Sequence, residues 1–146
     1  MKYNRLKATL FSVCLILTGL LIARCTTHGS QSPKFQQYFA HGQELYLANC
    51  SNCHQKDGTG LGLLYPPLNK SDFMDEHTTK TICIIRNGMS GEMLVNGKKF
   101  NHEMPGLPLL TELEIAEITT YIYNAWGREH ALIDVKEISG ELEHCQ

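Results

Sequence analysis

No aspartate or glutamate occurs in the first 25 residues of this 146-residue chain, whereas four of its thirteen basic residues do, at Lys2, Arg5, Lys7 and Arg24. The remainder carries nine basic against fifteen acidic residues, a formal charge of −6. Clustered cations are lacking there, which argues against nucleic acid as a partner, because phosphate contact needs them. The acidity serves solubility or steers a charged partner. There is no Ser-His-Asp order and no pair of carboxylates that would support hydrolysis. Gly58, Gly60 and Gly62 lack a following Lys-Ser/Thr and a preceding strand, so they do not form a phosphate loop. The uncharged run Ala8–Ala23 has 16 residues, short of the roughly 20 that a helical membrane span requires.

That run behind a basic n-region reads as a secretory signal or an N-terminal membrane anchor over residues 1–25. Cys25 stands where bacterial lipoproteins carry their lipidated cysteine, but Arg24 replaces the small residue that normally precedes it. Lipid attachment, cleavage elsewhere and retention as an anchor all place the domain on the periplasmic side of a bacterial membrane. Residues 26–33 are small and polar and read as a flexible tether. The remaining chain divides into a helical domain at 34–127 and a polar surface tail at 128–146.

The chemistry concentrates in Cys50-Ser51-Asn52-Cys53-His54. Thiols at i and i+3 of one helical turn share a face, and a histidine follows the second. This C-x-x-C-H string is the attachment signal for a c-type haem. Each thiol can add to one porphyrin vinyl group, and the adjacent imidazole is then aimed at the iron as proximal ligand. A thiol redox pair would need a βαβ unit around it, and a structural zinc site a second regularly spaced Cys or His pair; neither is evident.

Helical spacing of Phe35, Tyr38, Phe39, Leu45 and Tyr46 leads into Cys50, with Gly42 suggesting close approach by another element. The glycine loop after His54 suits the edge of a cofactor. The carbonyl of Pro66 or Pro67 offers an acceptor for the His54 Nδ1–H, which makes Pro67 a candidate cofactor-contacting residue; a plain rigid turn is the alternative. A short helix is expected from Ser71, and a longer one at 78–87 closed by a left-handed Gly88. Asn96-Gly97 between short β-capable runs signals a small hairpin. Thr111 and Glu114 form a capping box for a helix running to Trp126. Glu112, Glu114 and Glu117 are expected on its solvated face.

Met104 is the candidate sixth ligand. Pro105 holds it extended, on a loop just before the capped helix. His102, Met89 and Met93 are rivals, and Met74 lies too soon after His54. Among six cysteines, Cys14 and Cys25 belong to the leading segment and two are on the motif, leaving Cys83 and Cys145. In an oxidising compartment these are a candidate disulfide, against a buried free Cys83 with a mobile tail.

The ordered set Gly42, Leu45-Tyr46, Cys50–His54, Gly58, Gly60, Pro66-Pro67-Leu68, Arg86-Asn87-Gly88, Val95-Asn96-Gly97, Met104-Pro105 and Tyr121 to Trp126 resembles class I c-type cytochromes of the bacterial monohaem kind. The resemblance covers roughly residues 35–127. It implies an all-α fold whose terminal helices cross beside one covalent haem, with Gly42 and Tyr46 meeting Tyr121 and Ile122. It also implies Arg86 near a haem propionate, a solvated surface arginine being the alternative. The implied function is single-electron transfer between redox proteins in a respiratory chain, without enzymatic activity of its own. Service as the haem subunit of a dehydrogenase or peroxidase-type enzyme, or a haem-free thiol oxidoreductase, are the alternatives.

Overall fold

A computed structural model describes residues 31–145. The first helix, α1 (Pro33–Asn49), starts where Ser32 Oγ accepts from the Phe35 amide and Pro33 occupies the first turn. These are the residues that supply or remove the donors a helix start leaves unpaired. Phe35, Tyr38, Gly42 and Tyr46 are its buried positions, a single stripe at helical spacing. A short turn, α2 (Ser51–His54), follows at once.

The partner of α1 is α5 (Glu112–Ile122), and theirs is the most extensive contact between elements. Tyr46 and Tyr121 meet with ring centroids 5.3 Å apart, and Phe39 and Trp126 flank them at 5.2 and 5.8 Å from Tyr121. The expected terminal-helix crossing is therefore present. Gly42 permits it: a Cβ there would sit on the Glu117 carbonyl and 3.0 Å from the Tyr121 Cβ. Gly42→Val must push the helices apart, and we expect it to cost about 1–3 kcal/mol or more in a chemical denaturation of the purified protein.

Between these helices lie α3 (Asp72–Glu76), capped by Ser71, and α4 (Thr78–Asn87). The strands are two-stranded ladders only. β1 (Gly88–Met89) pairs antiparallel with β4 (Met104–Pro105), and β2 (Met93–Val95) with β3 (Lys98–Phe100). Asn96 and Gly97 turn the second ladder with φ of 50° and 71°, the double positive φ of a tight hairpin turn. Asp72 and Asn96 exchange side-chain bonds to each other's amides, tying the hairpin to α3. The pairing of β1 with β4 was not expected from the sequence.

Two expectations are corrected. Residues 128–146 are not a loose polar tail over the part described. Asp134 caps α6 (Val135–Glu143), whose Ile138 is fully buried in the core together with Ile133. The buried hydroxyl of Thr120 bonds both the amide and the carbonyl of Ile133, so neither of these backbone groups is left unpaired. The disulfide Cys83–Cys145 joins the end of this segment to α4, with Cα atoms 5.4 Å apart. The second correction is Glu117. It is only 3% exposed and bonds His41 Nδ1 at 2.7 Å. With α1 on one side and α6 on another, α5 has little solvated face; its residues 115–122 are all buried.

Candidate functional site

The C-x-x-C-H turn is held from both sides. The Cys50 amide donates to the Tyr46 carbonyl and the His54 amide to the Cys50 carbonyl, so the helical path runs on from α1 with little interruption. The Tyr46 hydroxyl donates to the Gln55 carbonyl at 2.5 Å. Cys50, Cys53 and His54 then line one cleft, enclosed by α3, α4, α5 and both ladders. The space between these walls, open solvent at the mouth included, is about 960 Å³.

His54 is buried, and its Nδ1 lies 2.9 Å from the Pro66 carbonyl. A carbonyl can only accept, so Nδ1 carries the proton and Nε2 keeps its lone pair for a metal. Burial pushes the imidazole pKa below its ordinary value, against the weaker pull of the Pro66 bond. The neutral, ligating form is thus favoured at neutral pH. The acceptor is Pro66; Pro67 lines the cleft beside it.

Met104 lines the same cleft, as do Met74, Met89 and Met93. The ladder places Met89 directly opposite Met104, and residues opposite each other in an antiparallel pair share a face. Met74 is 1% exposed and its carbonyl accepts from the Tyr123 hydroxyl, which fixes it in the core wall. His102 also borders the cleft, standing edge-on to Tyr65 with centroids 5.0 Å apart. Arg86 does not line it. Its Nη1 donates to the Pro108 and Leu110 carbonyls at 3.0 and 2.6 Å. The carbonyl acceptors lie 22 and 24 residues downstream, beyond what local spacing can indicate.

Cys50 and Cys53 are unpaired thiols, and burial, then the neighbouring Cys53, pushes the Cys50 thiol up to about 12. Reactive redox cysteines are instead held low, as ready thiolates. The lining offers two imidazoles, His54 and His102, thioethers, a few hydroxyls and apolar side chains, with Glu103 its one carboxylate and no lysine or arginine. A neutral nitrogen and sulfur donor set in an apolar slot, with two thiols at its edge, fits a flat apolar macrocycle carrying iron.

A family model described as cytochrome c matches residues 39–126. Cytochrome c-552 of Thermus thermophilus is 30% identical over 105 residues, which cover 69% of this chain and 75% of that protein. The cytochrome c subunit of the quinone alcohol dehydrogenase of Gluconobacter oxydans is 32% identical over 89 residues, 59% of this chain and 18% of that subunit. The match thus spans less than a fifth of the dehydrogenase subunit. This chain belongs to the cytochrome c family, which carries covalent haem c and transfers electrons.

Proposed function

We propose that this protein is a monohaem carrier that passes single electrons between redox proteins on the periplasmic side of a bacterial membrane, with no substrate chemistry of its own. Cys50 and Cys53 would hold the haem through thioether bonds, and His54 Nε2 and Met104 Sδ would hold its iron. When bound, the haem supplies an iron that cycles between two oxidation states. Pro66 fixes the His54 ring, and the β1–β4 ladder presents Met104. Ile85, Val95 and Phe100 help to keep water out of the cleft. The observation that carries this reading is the convergence of both thiols, His54 and Met104 on one apolar cleft.

Residues 1–25 serve export and attachment, through an uncleaved anchor or a lipid at Cys25, and 26–33 tether the domain. These residues lie outside the described part, apart from 31–33. Among the described residues no helix is long and apolar enough to cross a membrane. A second reading, service as the haem domain of a quinone-linked dehydrogenase, is supported by the 32% identity to the alcohol dehydrogenase subunit. The raised Cys50 thiol speaks against a haem-free thiol oxidoreductase.

Acid–acetone extraction tests the attachment. The denatured wild-type protein should keep its haem absorbance, and a Cys50→Ala/Cys53→Ala variant should lose all of it. Complete extraction from the wild type, or retention by the variant, would overturn the assignment.

A further inference from the structure

We propose that Arg86 is a positioning residue for the Met104 side of the cleft: its guanidinium holds the loop 104–110 against the end of α4. This rests on the reading of Met104 as ligand. The loop contains Pro105 and Pro108, which have no N–H, so it is short of donors of its own. What docks it is α4. The Leu107 amide donates to the Ile85 carbonyl at 2.9 Å, and Gly88 and Met89 pair with Pro105 and Met104. The two backbones touch. A Cβ on Gly88 would lie 2.6 Å from the Met104 carbonyl oxygen, and one on Gly106 would lie 2.7 Å from the Arg86 carbonyl oxygen.

Beyond these backbone contacts, the side chain of Arg86 closes the far end. Its Nη1 serves the carbonyls of Pro108 and Leu110 together. Leu110 immediately precedes Thr111, the N-cap of α5. Arg86 therefore joins the last turn of α4, the Met104 loop and the start of α5 at one point. A charged donor suits two converging carbonyls, and the rigid guanidinium fixes both Nη1 hydrogens in one plane, where lysine offers three donors on a rotating head and a flexible stem. The disulfide Cys83–Cys145 holds α4 from behind, three residues upstream.

A loop that is held closed protects the Met104 bond from competitors. An outside ligand binds only the open fraction, so its apparent affinity falls in proportion to that fraction. Imidazole is the probe, titrated into the oxidised, haem-loaded full chain while the iron–sulfur charge-transfer band is followed. We expect Arg86→Ala to bind imidazole about tenfold more tightly than wild type, equivalent to about 1.4 kcal/mol of lost loop closure. Arg86→Lys should fall between them. If Arg86→Ala yields no haem-loaded protein, Arg86→Lys against wild type carries the same comparison. Unchanged imidazole affinity in the variant that loads would overturn the proposal, as would a changed pH dependence of the potential at unchanged affinity, the mark of a propionate partner. Absence of the band from the wild type would instead overturn the Met104 assignment.

Discussion

Met104→Ala is expected to extinguish the iron–sulfur charge-transfer band of the oxidised protein. It should also lower the reduction potential by a sizeable part of the roughly 0.8 V over which axial ligands act. A neutral, soft thioether favours the reduced iron, and His/Met pairs accordingly sit at raised potentials. The geometry makes the test sharper than sequence order alone could. Met89 is the cross-strand neighbour of Met104 and lines the same cleft. The companion variant is therefore Met89→Ala, which should keep the band. A band that survives in Met104→Ala and vanishes in Met89→Ala would transfer the role to Met89. Should a strongly bound low-spin form without the band appear in Met104→Ala, the double variant Met104→Ala/His102→Ala will reveal whether His102 has replaced the thioether.

Removing the Cys83–Cys145 bond should cost about 4 kcal/mol, the chain-entropy value for a separation of 62 residues. Denaturation of Cys83→Ser, Cys145→Ser and the double variant, each with haem, gives the measurement. All three should agree, because each removes the same bond. The segment it secures is not held by the bridge alone. Ile133 and Ile138 are buried, Thr120 bonds Ile133 on both sides, and Lys34 pairs with Asp134. A loss below about 1 kcal/mol would mean that these contacts already restrict the unfolded or partly unfolded chain, and that the entropic account fails here.

Features with a local cause were legible. The capping box needs only Thr111 and Glu114, and both of its bonds form, with Glu114 N to Thr111 Oγ1 at 3.2 Å and Thr111 N to Glu114 Oε2 at 2.7 Å. The hairpin needs two residues that tolerate positive φ, and Asn96 with Gly97 provides them. Glycine at position 42 marks a close approach because a side chain would have nowhere to go, and the helix it meets carries the aromatic residues expected of it. Even Gly88 behaves partly as read. Its φ is +81°, but with ψ at −177° it opens a strand instead of a left-handed cap.

Where the reading failed, the deciding partner was remote. Glu117 looks solvated on its own helix, and becomes buried because α1 packs over it, with His41 on its carboxylate and Gly42 on its backbone. The tail looks polar because its apolar residues are few and spread out, yet Ile133 and Ile138, with Leu132, Val135 and Leu142 packed beside them, seat it on the core. Arg86 carries a charge that a propionate or two carbonyls could equally use, and nothing within its own helix chooses between them.

By itself, then, the sequence determined the attachment chemistry, the tautomer-setting proline turn, the helix starts at Ser71 and Thr111 and the cysteines left over to pair. Spacing along one helical turn and the side-chain chemistry of caps and turns require no knowledge of the rest of the chain. Only the tertiary structure decided which carbonyl orients His54, which methionines share the cleft face, what Arg86 holds and that residues 135–143 close the core. Those outcomes depend on hydrogen bonds and burial between segments up to 100 residues apart, and such pairings are set by how helices and ladders pack, not by the neighbours of any one residue.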